Sequence, residues 1–161
     1  MKLLFCERNL FMQKDIEEAL KRMNIDFRCV SYLFEDPNHD DFYISHLRHF
    51  LSEDAYDGVL SVNVVPVIAD VCHDMGIPYL TWCYDACWEF SRTDIFHYPT
   101  TYIFTLINAP VKIINNVAIP TYFICLWLRT ATGSINFVPP QNRRNPIVLP
   151  SAFLVLCMEH I

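Results

Sequence analysis

Apolar positions over the first 105 residues alternate between two rhythms. "KLLFC" (2–6) is a short apolar run of strand length. "QKDIEEALKRMN" (13–24) then spaces Ile16, Ala19, Leu20 and Met23 at helical intervals, with acids early and Lys21 and Arg22 late, as the helix dipole favours. "IDFRCVSYLF" (25–34) alternates like a half-exposed strand. "DDFYISHLRHFLSED" (40–54) returns to the helical period through Phe42, Ile44, Leu47, Phe50 and Leu51. "DGVLSVN" (57–63) predicts a strand, and "VVPVIADVCHDM" (64–75) a helix with proline in its first turn. "IPYLTWCYD" (77–85) predicts the next strand and "TYIFTL" (101–106) another. Apolar strands separated by helices of this length imply βαβ units and a parallel sheet. With right-handed crossovers, the predicted fold class is α/β, a Rossmann-like open parallel sheet.

Beyond Thr105 the rhythm stops. Residues 106–161 sustain neither a helical period nor strict alternation, and six of the 10 prolines interrupt their apolar runs. Charge breaks at the same place. Residues 1–105 carry 17 of the 18 acids and 8 of the 12 Lys and Arg, a net −9; residues 106–161 carry one acid and four bases, a net +3. The pattern therefore divides the chain into a domain at 1–105 and an irregular tail at 106–161, out of frame or disordered. A native continuation is expected to agree locally with its fold, and this one does not.

At 161 residues, 53% hydrophobic and with only 3 glycines, the chain suits one packed domain rather than disorder or two domains. A net charge of −6 argues against nucleic acid as a partner, which needs clustered Lys and Arg. The N-terminal apolar run halts at Glu7 and Arg8, too short for a signal peptide. Seven cysteines without a repeated spacing are then expected as reduced thiols in a cytoplasmic protein. The longest apolar run of the tail, "VAIPTYFICLWL", has 12 residues and a proline, against about 20 needed for a membrane span.

Candidate chemistry sits at the strand ends, where open α/β sheets bind their ligands. The first ends in Cys6, Glu7, Arg8 and Asn9, the third in Ser61 and Asn63, and the fourth in Trp82, Tyr84 and Asp85. Asp85 is the candidate general base toward an acceptor hydroxyl. Trp82 and Tyr84 offer faces for stacking on a sugar or nucleoside, and Ser61 and Asn63 complete the candidate binding set. Four of these have a structural alternative: Asn63 and Asp85 as turn caps, Trp82 or Tyr84 as packing against a helix. Cys72, His73, Cys83 and Cys87 lack the second ligand pair of a zinc site, and His46, His49 and His97 lack partner spacing, so no metal is expected. Neither a dinucleotide fingerprint nor a P-loop is present, and no cofactor is expected.

The stretch "DGVLSVNVVPVIADVCHDMGIPYLTWCYDA" resembles the N-terminal domain of the CgeB-like (spore maturation) glycosyltransferase family. In that pattern a strand ending S-x-N precedes a helix with an early proline, and a G-I-P-Y strand ends in W-x-Y-D. Ser61, Asn63, Pro66, Gly76, Ile77, Pro78, Tyr79, Trp82, Tyr84 and Asp85 match it. "DIEEALKRMN" and "TTYIF" also stand where the family has its first helix and a later strand, so the resemblance spans about residues 1–105. It implies a GT-B architecture, two Rossmann-like domains across a cleft, with the acceptor on the N-terminal side and the nucleotide-sugar donor on the other, and no metal. Nucleotide-sugar and acceptor would be partners only of the full-length parent, and the fragment itself would be inactive. The alternative is a stand-alone flavodoxin-like α/β binding or signalling module.

The resemblance ends at Phe104, and the genetic code offers a reason. Joining the third base of each codon to the first two of the next lets residues 122–136 encode Y-L-P-L-A-A-N-S-D-R-I-D, which is similar to the family's continuation. In that shift Trp127–Leu128 yields only Ala or Val, and Met158–Glu159 forces Gly. One lost base near Thr105 and Leu106 would explain both the broken pattern and the charge shift; the alternative is a divergent C-terminal segment. Resequencing the source DNA from the Tyr102 codon past Ile161 is expected to recover one missing base. A confirmed reading frame with nothing family-like downstream would overturn this expectation.

Overall fold

The computed structural model describes residues 1–7, 13–31, 33–83, 92–105 and 122–124. Six strands, β1 (Lys2–Glu7), β2 (Asp26–Ser31), β3 (Gly58–Val62), β4 (Tyr79–Cys83), β5 (Thr101–Thr105) and β6 (Tyr122–Ile124), form one sheet in the order β2-β1-β3-β4-β5-β6. Every pairing is parallel. Three helices connect them, α1 (Gln13–Arg22), α2 (Asp41–Glu53) and α3 (Pro66–Met75), and a short 3₁₀ turn at Asp94–His97 precedes β5. This is the α/β, Rossmann-like open parallel sheet that the alternating pattern predicts. β6 lies within 106–161, where the pattern predicts no element.

Parallel strands need crossovers, and the crossovers determine which side chains meet. Leu3, Phe5, Leu60, Val62, Leu80, Trp82, Tyr102 and Phe104 pack on the face that carries α1 through Ile16, Ala19 and Leu20. Leu4, Cys6, Val59, Tyr79, Cys83 and Ile103 pack on the other face with α2 and α3. Strands covered on both faces are largely apolar, as β3 and β4 are apart from Ser61 and Thr81, with every residue buried. β2, at the sheet edge, is largely exposed and carries Asp26 and Arg28, charges that discourage further strand pairing.

One helix face departs from expectation. In α2 the buried residues are Tyr43, Leu47 and Leu51, four apart, flanked by half-buried Ile44 and Phe50. Phe42 is 59% exposed and lies against the His46 ring, with centroids 4.1 Å apart. Tyr43 takes the inward position one step along the helix. Asp40 caps α2 by accepting the Tyr43 N–H at 2.8 Å, and this lowers its carboxyl pKa. None of the described helices is long and apolar enough to cross a membrane.

α3 ends at Gly76, whose φ of 68° lies in the left-handed region; the Ile77 N–H then reaches back to the Cys72 carbonyl at 2.9 Å. Among the described residues, nothing beyond the adjoining chain lies within 4 Å of where a Cβ would sit on Gly76, so a side chain there strains the backbone alone. Gly76→Ala is expected to cost about 1 kcal/mol by urea denaturation, and Gly76→Asn less, since asparagine tolerates this conformation. Equal midpoints for wild type and Gly76→Ala would contradict the assignment.

Candidate functional site

In a sheet of this order the chain reverses its direction of growth between β1 and β3, and their carboxyl ends bound the crevice of a doubly wound fold. Cys6 aligns with Ser61 across β1 and β3, and Val62 with Trp82 across β3 and β4. The structure thus gathers three of the expected strand ends, β1 at Cys6–Glu7, β3 at Ser61–Asn63 and β4 at Trp82. Arg8, Asn9, Tyr84, Asp85 and Cys87 lie outside the described residues.

Tyr79 shapes the exit from β3. The Val65 N–H donates to its hydroxyl oxygen at 3.0 Å, and that hydroxyl lies 2.7 Å from Ser61 Oγ. Ser61 in turn donates to the Asn63 carbonyl at 2.9 Å, which makes Tyr79 the donor to Ser61. Three bonds in series join two hydroxyls, one amide and one carbonyl, and so tie β4, through Tyr79, to the end of β3 and the turn into α3. Burial pushes the Tyr79 pKa well above its ordinary value, despite its hydrogen bonds with Ser61 and the Val65 N–H. Asn63 sits at φ 60°, a conformation asparagine accepts more readily than most residues, and its N–H donates to the Trp82 carbonyl at 2.8 Å.

Ser61 is 1% exposed, with its hydroxyl committed to these internal bonds, so it holds the turn rather than presenting a group to a ligand. Trp82 is 5% exposed and packs in the apolar layer beneath α1. Its indole N–H has no acceptor among the described residues. Asn63 is half-buried, and of the three it alone keeps appreciable exposure at the strand ends.

The amino terminus of α3 opens onto the same region but is already occupied. Pro66 has no N–H, the Val67 N–H donates to the Pro37 carbonyl at 3.0 Å, and those of Ile68 and Ala69 turn back to the Val65 carbonyl. A helix end that binds phosphate keeps these amides free.

Two clusters escaped the sequence reading. Arg92 grips Asp70 of α3 with both terminal guanidinium nitrogens, at 2.6 and 2.9 Å, and also bonds Asp94; Tyr98 donates to Asp70 at 2.9 Å and stacks on His73. This network pins the chain entering the 3₁₀ turn to α3. The Arg92 hydrogen bond holds the Asp94 pKa below its ordinary value. The second cluster joins Glu7, Glu17 and Cys29, whose donor atoms lie within 4.8 Å of one another. Cys29 is exposed on the edge strand, yet partial desolvation, then the hydrogen bond and charge of Glu7, push its thiol pKa up. Neither cluster has a local sequence signature, because each joins segments that stand well apart in the chain.

No family model matches the chain, and no curated protein does either. Among solved structures, a dTDP-4-dehydrorhamnose reductase from Clostridium acetobutylicum aligns with 73% of this chain at 15% identity and a TM-score of 0.46. The alignment spans 59% of that protein's chain. A likeness this slight bears on neither family nor activity.

Removing the Tyr79 hydroxyl strands the Val65 N–H, and removing that of Ser61 strands the Asn63 carbonyl. Tyr79→Phe and Ser61→Ala are each expected to lower unfolding free energy by about 1–3 kcal/mol. The double variant should lose less than the sum, because the two changes break one shared bond. Strictly additive losses in urea titrations would break the proposed series.

Buried thiols set a further expectation. Burial raises Cys6 from 9.0 to about 12 and Cys83 from 9.0 to about 11. Below pH 9 both thiols are protonated in the folded and unfolded chain alike, and their contribution is intact. Above pH 9 the unfolded chain releases protons that the folded chain keeps. Stability therefore falls by about 1.4 kcal/mol per pH unit for each thiol until its folded pKa is passed. Urea midpoints should be flat from pH 7 to 8.5 and decline from 9 to 11, with Cys6→Ala and Cys83→Ala flattening that decline. An unchanged slope in both variants would refute the assignment.

Proposed function

We propose that residues 1–105 are the acceptor-side domain of a GT-B-type glycosyltransferase related to the CgeB-like family. The parent enzyme would move a sugar from a nucleotide-sugar onto an acceptor hydroxyl. The observation that carries this reading is the occupied amino terminus of α3. Its first amides are absent or bonded within the fold, so among the described residues the helix that follows β3 offers no free end to a diphosphate. An acceptor domain needs no such site; a donor domain does.

In this reading Asp85 takes the proton from the acceptor hydroxyl as its oxygen attacks the sugar carbon and the nucleoside diphosphate leaves. Tyr84 and Asn63 contact the acceptor, while Ser61 and Trp82 support the strand ends from within. Donor binding belongs to a second domain of the parent, and residues 106–161 are an out-of-frame stretch in its place. The strand order favours a second reading. It begins 2-1-3-4-5, the order of flavodoxin-like modules, so a stand-alone binding module is the rival.

Calorimetric titration of the full chain separates the two. UDP-glucose and dTDP-glucose are expected to give no saturable heat at millimolar concentration. Micromolar binding of either sugar nucleotide would overturn the acceptor-side assignment, and saturable binding of flavin mononucleotide would favour the module.

A further inference from the structure

We draw no further inference here: the strongest candidate, the side-chain cluster of Glu7, Glu17 and Cys29 where β1, α1 and β2 meet near the sheet edge, carries nothing because two acids and one cysteine do not make a site by themselves and Glu17 already engages Gln13 and Lys21.

Discussion

A parallel strand cannot return to its neighbour through a tight turn, so each connection must cross a face of the sheet. Most of this fold follows from that constraint. Growth from β1 toward β2 puts α1 on one face, and growth from β2 to β3 and on to β4 puts α2 and α3 on the other. Both faces of β3 and β4 are thereby closed, and their residues are apolar apart from Ser61 and Thr81. Chemistry that needs solvent has room only where the strands stop.

Those strand ends must satisfy their own polar groups before any is left for a ligand. The turn from β3 into α3 lacks a side-chain cap at Val65 and begins its helix with a proline. The Tyr79 hydroxyl, reaching over from β4, supplies the missing acceptor to the Val65 N–H. Ser61 then closes the series onto Asn63, and the Asn63 N–H ties the turn back to Trp82. The cross-strand bonds hold the two strand ends in register just where a crevice would form. A buried hydroxyl left without a partner costs about 1–3 kcal/mol, which explains why both hydroxyls are spent internally.

The periods of the sequence made the sheet and helices legible, because burial on one or two faces writes itself directly into apolar spacing. Ile16, Ala19 and Leu20 face inward as their spacing predicts. Phe42 does not, since size and hydrophobicity alone cannot separate it from Tyr43, whose position completes the four-residue repeat with Leu47 and Leu51. At the strand ends residue type was a poorer guide. Ser61 and Trp82 look like ligand groups in sequence, yet burial gives one to a turn and the other to the core. The Arg92–Asp70 pair spans 22 positions and left no pattern, since contacts made through tertiary folding have no period to read.

Charge and hydrogen bonding point the same way about what the end of β3 can receive. The region up to Thr105 carries a net −9, and the first α3 amides are closed by Pro37 and Val65. A diphosphate brings its own negative charge and needs free donors, so both the regional charge and these amides oppose it. A neutral polyol brings hydroxyls that donate as well as accept, and it suits a rim containing a half-buried Asn63 with Glu7 at the neighbouring strand end. On that physical ground the acceptor, rather than the donor, is the substrate that the proposed reading assigns to this sheet.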